Sequence, residues 1–160
     1  MKQLSERLNR LSPSATLAMS QKSNELKAQG VNVINLSVGE PDFNTPAHIK
    51  EAAKEAIDNN FSRYSPVPGY PELRNAIVAK LKNENGLDYT PAQISCANGA
   101  KQSVCNVIMT LVDKGDEVIV PAPYWVSYPE MVKMADGTPV IIPAGIEQDF
   151  KITPVQLEAA

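Results

Sequence analysis

The segment Asn98-Gly-Ala-Lys-Gln-Ser103 joins a strand-like run, Ile94 to Ala97, to an apolar-periodic helix, and this arrangement can bind an anion. The first N–H groups of a helix have no acceptor within the helix and lie at the positive end of its dipole, so a phosphate placed there gains several hydrogen bonds. Lys101 adds a full positive charge at the same place. The alternative is an ordinary helix start with a solvated lysine, because strand-glycine-helix turns are common in α/β proteins.

Trp125 is a second candidate, because a planar indole on a loop can stack on an aromatic ring. Pro121 and Pro123 place this loop just past a strand, at the edge where open α/β sheets bind ligands. A phosphorylated flat heterocycle would satisfy both the turn and the indole. The GxxxxGK[ST] and GxGxxG motifs are absent, which disfavours ATP and NAD. The alternative for Trp125 is an anchor in the core or in an interface.

The elements that must position these residues alternate between helix and strand, which predicts an α/β fold. Thr45 is predicted to cap one helix, with Pro46 in its first turn. The apolar face of the helix after the turn is predicted to combine Val104, Val107, Ile108 and Leu111. Helices are predicted over residues 14–29, 45–57, 71–85, 101–112 and 124–135, and strands over 31–38, 94–97, 117–120 and 138–142.

The composition and net charge indicate which classes of protein this chain can belong to. The chain has 160 residues, of which 43% are hydrophobic and 21% charged, as expected for one soluble globular domain. The net charge of −3 disfavours nucleic-acid partners, and no stretch has the length of a membrane span, so we expect a cytoplasmic protein without membrane contact. Cys96 and Cys105 lack metal-ligand spacing and are predicted to be buried free thiols, while His48 is predicted to lie on the surface.

Four motifs in order along the chain resemble those of the class I pyridoxal-phosphate aminotransferases, with the bacterial aspartate aminotransferases as the nearest likeness. They are Val38-Gly-Glu-Pro-Asp-Phe43, Tyr64-Ser-Pro-Val-Pro-Gly-Tyr-Pro-Glu-Leu-Arg74, Asn98-Gly-Ala-Lys-Gln102 and Pro123-Tyr-Trp-Val-Ser-Tyr-Pro-Glu130. The resemblance implies a fold-type I pyridoxal-phosphate transferase, consisting of an N-terminal arm and an incomplete major domain. Residues 1–44 would be the N-terminal segment of the small domain, and residues 45–160 the N-terminal part of the cofactor-binding major domain.

The resemblance also implies the cofactor, pyridoxal 5′-phosphate, and the residues that hold it. Ala100, Lys101 and Gln102 would bind its phosphate at the helix start, and Trp125 would stack on its pyridine ring. Tyr64 would reach the cofactor phosphate in the neighbouring subunit, which implies a homodimer with shared active sites.

The resemblance gives substrate roles to four residues of this sequence. The backbone N–H of Gly39 would bind the substrate α-carboxylate, since glycine lets a backbone approach a ligand closely. Thr16 and Lys101 would meet the distal carboxylate of a dicarboxylic substrate, and Trp125 would line the substrate site. For Ser14 and Thr16, helix capping is the alternative.

The implied reaction is amino-group transfer between amino acids and 2-oxo acids, with aspartate and 2-oxoglutarate as the expected pair in two half-reactions. The Schiff-base lysine of this family lies beyond residue 160, so no catalytic residue is expected in this chain, and alone it is predicted to be inactive. Aromatic, arginine or prephenate transamination, and a pyridoxal-phosphate lyase, are alternatives within the fold. A non-catalytic aminotransferase-like binding domain and a stand-alone module for a phosphorylated metabolite are alternatives from other classes.

Overall fold

The computed structural model describes residues 4–160, so residues 1–3 of the predicted 1–44 segment lie outside the described part. The α-helices are α1 (Glu6–Asn9), α2 (Ala15–Ala28), α3 (Ala47–Asp58), α4 (Pro71–Asn85), α5 (Ala100–Leu111), α6 (Ser127–Met134) and α7 (Pro154–Glu158). The strands are β1 (Glu117–Ala122) and β2 (Thr138–Pro143), and two 3₁₀ turns cover Pro91–Gln93 and Ile146–Gln148. The mixture of helices and parallel strands confirms the α/β class.

The chain forms two compact units. One unit contains the chain up to Gly39 together with Val104–Ala160, and the other contains Glu40–Ser103. Helix α5 therefore begins in the second unit and continues into the first.

The core of the first unit is a β1-α6-β2 crossover. Strands β1 and β2 pair in parallel, from Glu117 opposite Thr138 to Ala122 opposite Pro143. Val132 on α6 is only 1% exposed, so this helix covers the strand pair. The buried hydrophobic side chains lie on these three elements and just beyond their ends, namely Val120, Met131, Val132, Ala135, Ile142 and Ala144.

Gly137, in the turn from α6 to β2, is required by close packing. A Cβ atom at this position would lie 2.5 Å from Cγ1 of Val112 and 3.2 Å from Cγ1 of Val132. Both neighbours are side chains of the packed interior, so the turn has no room for a larger residue.

The predicted strand 117–120 is too short, because β1 extends through Ala122 and Pro121 pairs with Ile142. Proline fits within a strand where its nitrogen points away from the paired neighbour. The helix predicted from Tyr124 begins instead at Ser127. This later start puts Pro129 in the first turn, where its missing N–H removes no helical hydrogen bond.

The second unit contains α3, α4 and the first turn of α5. Helix α4 begins at Pro71 and ends at Gly86, which adopts the left-handed conformation at φ 68°, as its sequence predicts. The predicted Thr45 cap of α3 is wrong. Pro46 is the N-cap, because its ψ of 144° is extended while its carbonyl accepts the first helical hydrogen bonds.

Two predicted strands, 31–38 and 94–97, are absent from the described part of the chain. Ile34 and Leu36 in the first segment are 84% and 91% exposed. In the second segment, the Cys96 N–H donates to the Pro68 carbonyl at 2.9 Å, and the other backbone bonds are to residues close in sequence. Strands are stabilised by cross-strand pairs, and the described residues supply no partner strand for either segment.

The structure tests the predicted exposure of His48 and the predicted burial of the two cysteines. His48 is exposed, as predicted. Cys96 and Cys105 are free, but both are only partly buried, so the prediction of buried thiols is wrong. Cys96 packs against Gly69, where a Cβ atom would lie 2.7 Å from its Sγ atom. None of the described helices is both long and apolar enough to cross a membrane.

We predict that the 160-residue chain alone is poorly soluble or molten. Ile34, Leu36, Phe43 and Val67 are each at least 84% exposed, and few hydrophobic side chains are buried. Exposed apolar surface on this scale promotes association rather than a unique fold. Calorimetry and amide NMR spectra test this prediction, and a sharp cooperative transition with well-dispersed amide signals would contradict it.

The environment of Asp136 predicts that the stability of the fold depends on pH. The side-chain hydrogen bond from Arg7, at 3.1 Å, outweighs partial burial and, with a further bond from Arg10, holds the pKa of Asp136 below its ordinary value. A carboxyl whose pKa is lower in the folded state stabilises that state at neutral pH, and this contribution is lost as pH falls through the folded value.

We expect Asp136→Asn to destabilise the full-length protein at pH 7 and to do so progressively less as the pH falls below about 4. Here and below, the full-length protein is the longer protein that the resemblance predicts, in which this chain continues beyond residue 160. Urea unfolding of both proteins at several pH values measures the difference. An equal difference at neutral and acidic pH would contradict the assignment.

Candidate functional site

The candidate anion site is the turn that precedes α5. Gly99 adopts φ 80°, in the left-handed region that favours glycine, and the helix begins at the next residue, Ala100. A Cβ atom at Gly99 would meet no atom within 4 Å, so the backbone conformation rather than space requires glycine here. The predicted junction of glycine turn and helix start is therefore present.

Gln102 closes this turn with its side chain. The Oε1 atom of Gln102 accepts a hydrogen bond from the backbone N–H of Asn98 at 2.6 Å. The backbone N–H of Gln102 donates to the Gly99 carbonyl at 3.2 Å. These two bonds fasten the turn to the first turn of the helix. The side-chain oxygen of Gln102 is thus committed to the shape of the turn, while its predicted contact with a phosphate stays a prediction.

The first turn of α5 favours an anion electrostatically. It contains no acidic residue, and Lys101 brings a positive charge to the end of the helix that is already positive through its dipole. Val104 and Ile108 follow on the same helix and line an apolar cavity. Val107 and Leu111 are 56% and 74% exposed, so the single apolar face predicted for α5 is divided.

Trp125 lies on the wall of that cavity, which has a volume of about 570 Å³ and is lined by α5, β1, the loop after β1 and α6. Its side chain is 43% exposed, so the indole is accessible from the cavity and from solvent. Tyr124 and Tyr128 line the same space. A flat aromatic ligand can stack on such a surface.

The two tyrosines beside Trp125 were missed by the sequence reasoning. A signal was available, because Tyr128 follows Trp125 by three residues and the loop enters a helix at Ser127. Residues three apart at the start of a helix lie on the same side of it, so Tyr128 is expected near Trp125.

Thr16 lies in the first turn of α2 and lines a different cavity, of about 510 Å³. The cap of α2 is Ser14, whose hydroxyl accepts the Leu17 N–H at 3.4 Å. The capping alternative is therefore confirmed for Ser14 and removed for Thr16. Thr16 is partly buried, and its predicted contact with substrate stays a prediction.

Gly39 and Tyr64 are both open to approach. A Cβ atom at Gly39 would meet nothing within 4 Å, and its φ lies outside the left-handed region, so no described residue explains glycine at this position. Close approach of a ligand to the backbone would explain it. Tyr64 is fully exposed.

The site residues are divided between the two units. Ala100, Lys101, Gln102 and Tyr64 belong to the unit Glu40–Ser103, and Thr16, Gly39 and Trp125 belong to the other. Among residues 4–160, no group of three or more histidine, cysteine or acidic side chains could hold a metal ion. The turn with Lys101 lies in one unit, and the aromatic wall with Trp125 lies in the other.

Comparison with known proteins decides the family. Residues 31–160 match the family described as aminotransferase class I and II. The chain belongs to this family. It is 55% identical to an aspartate/prephenate aminotransferase from Cereibacter sphaeroides over 98% of its own length, and 51% identical to an aspartate aminotransferase from Geobacillus stearothermophilus.

The fold of the family is confirmed by a solved structure. The aspartate aminotransferase from Thermus thermophilus with maleate superimposes with a TM-score of 0.94 at 45% identity, over all of this chain and 42% of the other. The chain also spans only 39% of the Cereibacter and 40% of the Geobacillus protein. It thus spans about two fifths of the length of these relatives.

Replacement of Gln102 tests the description of the turn. Gln102→Met removes the acceptor for the Asn98 N–H while keeping the length of the side chain. In the full-length protein, we expect the Asn98 amide to exchange with deuterium about fivefold faster, because a hydrogen bond of about 1 kcal/mol is lost. Ser103→Ala, one residue further along the helix, is the control and should leave the exchange unchanged. Equal protection of Asn98 in the Met variant would refute the closing role of Gln102.

Proposed function

We propose that this chain is the N-terminal part of a pyridoxal-phosphate-dependent amino-acid aminotransferase that uses aspartate and 2-oxoglutarate. Residues 1–44 would belong to its small domain and residues 45–160 to its major domain. The observation that carries the proposal is helix α5, which begins at the Gly99 turn beside Lys101 and lines an apolar cavity with an indole on its wall.

The residues fit this cofactor chemically. A phosphate needs N–H donors and positive charge, which the first turn of α5 and Lys101 supply. A pyridine ring needs a flat apolar surface, which Trp125 supplies. When bound, pyridoxal phosphate supplies the electron sink for removing a proton from the amino-acid α-carbon.

In the full-length protein, the residues of this chain would bind and orient the cofactor. Ala100, Lys101 and Gln102 would fix the phosphate, and Trp125 would set the plane of the ring. Tyr64, fully exposed, would reach the phosphate in a neighbouring subunit, so the active protein would be a homodimer. The resemblance to bacterial aspartate aminotransferases supports a cytoplasmic location.

Substrate recognition would use Gly39 for the α-carboxylate, and Thr16 and Lys101 for the distal carboxylate. Maleate, present in the Thermus structure, is a four-carbon dicarboxylate, which supports a site for such substrates. Prephenate is a second candidate substrate, because the Cereibacter relative is named for both aspartate and prephenate. Proton transfer would require the Schiff-base lysine expected beyond residue 160, so the 160-residue chain alone should not catalyse the reaction.

Spectroscopy of the full-length protein tests the proposal. Mixed with pyridoxal phosphate, it should show a pH-dependent visible band that borohydride abolishes, whereas the 160-residue chain should bind weakly and show no such covalent signal. Absence of the band in the full-length protein would refute the proposed enzyme.

Lys101→Met should weaken cofactor binding by about tenfold or more, because a charged hydrogen bond is worth roughly 1.5–3 kcal/mol. Lys114→Met is the matched control, since Lys114 follows the other end of the same helix. Titration followed by quenching of Trp125, the only tryptophan of these 160 residues, or by the visible band measures the affinity. Equal losses in the two variants would contradict a specific role for Lys101.

A further inference from the structure

Helix α6 has two contrasting sides. Tyr128 and Val132 line the cavity that contains Trp125. The carboxylates of Glu130, on α6, and Asp136, just past its end, hold the segment that precedes α2. The same short helix therefore contacts the aromatic wall and the N-terminal segment.

Glu130 uses both of its carboxylate oxygens. Its Oε2 atom accepts the backbone N–H of Ser12 at 2.8 Å, and its Oε1 atom accepts Nζ of Lys133 at 2.8 Å. The side chain is only 25% exposed. Burial opposes its ionisation, but the bonds from Lys133 and Ser12 prevail, so the pKa of Glu130 is below its ordinary value.

Asp136 adds two further attachments to the same segment. It accepts hydrogen bonds from Arg7 and Arg10, on either side of the end of α1. Together with the Ser12 contact, these bonds attach three residues of the segment 7–12 to α6 and to the turn after it. A segment with several such bonds is less mobile than a chain end without them.

The contact at Ser12 lies close to the start of α2. Ser12 lies two residues before Ser14, the cap of α2, and the intervening Pro13 has a restricted φ angle. Thr16 follows in the first turn of the helix. The bond at Glu130 lies four residues before Thr16 along the chain, and the φ angle of Pro13 between them is fixed.

We propose that Glu130 is a positioning residue, which holds the Ser12 backbone so that the first turn of α2 places Thr16 for the distal carboxylate of the substrate. The effect on substrate rests on the proposed function, whereas the attachment of Ser12 does not. Glu130 itself touches neither cofactor nor substrate. Its loss should weaken binding of the dicarboxylate and leave the chemical step nearly unchanged.

The attachment is tested by hydrogen exchange in the full-length protein. Glu130→Met removes the acceptor, and the Ser12 amide should exchange about tenfold faster or more. Glu130→Gln keeps an acceptor oxygen and should restore most of the protection. Glu51→Met is the matched control, because Glu51 also pairs with a lysine three residues away, Lys54 at 2.8 Å, but makes no long-range bond. Unchanged exchange in Glu130→Met would overturn the proposal.

Steady-state kinetics tests the substrate effect in the same proteins. Glu130→Met should raise KM for aspartate by roughly five- to twentyfold with kcat within about twofold, as expected when uniform binding is lost. Glu130→Gln should recover most of the loss, and Glu51→Met should behave like the wild type. A lower kcat with unchanged KM, or no change at all, would overturn the positioning role.

A second variant tests the proposal if Glu130→Met does not fold. If Glu130→Met does not fold, Ser12→Pro removes the donor N–H from the other side and should raise the same KM, whereas an unchanged KM would overturn the proposal. If the wild-type protein transfers no amino group, the proposed function fails together with the substrate role. The exchange of Ser12 then still shows whether Glu130 holds the segment.

Discussion

The parallel pairing of β1 with β2 is the constraint on which the first unit depends. Parallel strands need a crossover connection, and α6 supplies it with Val132 buried against both strands. The entry to this crossover is the loop before Ser127, so Trp125 is fixed at the carboxyl end of β1. The exit is the Gly137 turn, which packs on Val112 just past α5. Strand pairing thus determines where the aromatic wall lies within the first unit.

The elements predicted correctly from the sequence are those stabilised by local signals or by neighbours within the chain. Helix α4 has proline at its start and glycine at its end, and β1 and β2 are β-branched runs joined by a helix. The segments 31–38 and 94–97 have strand-like sequences, but a strand needs a partner that residues 4–160 do not supply. Pro46 and Pro129 shifted helix starts by amounts that periodicity alone does not reveal.

The candidate site was predictable where a residue type implies a chemistry. The glycine turn, Lys101 and Trp125 were found in this way. The supporting contacts were not, because the bonds from Asn98 to Gln102 and from Ser12 to Glu130 depend on side-chain direction and on tertiary packing. Gly39 shows the converse, since nothing in the described chain requires glycine there. In the proposed function, the close approach of a substrate to the backbone would supply the reason.

The central claim is that this chain forms the phosphate and ring side of an aminotransferase site, completed in the full-length protein. A single half-reaction tests it most directly. Full-length protein loaded with pyridoxal phosphate and given aspartate alone should release about one equivalent of oxaloacetate per chain and then stop, because no acceptor is present. No oxaloacetate, or continuous release without a 2-oxo acid, would contradict the account.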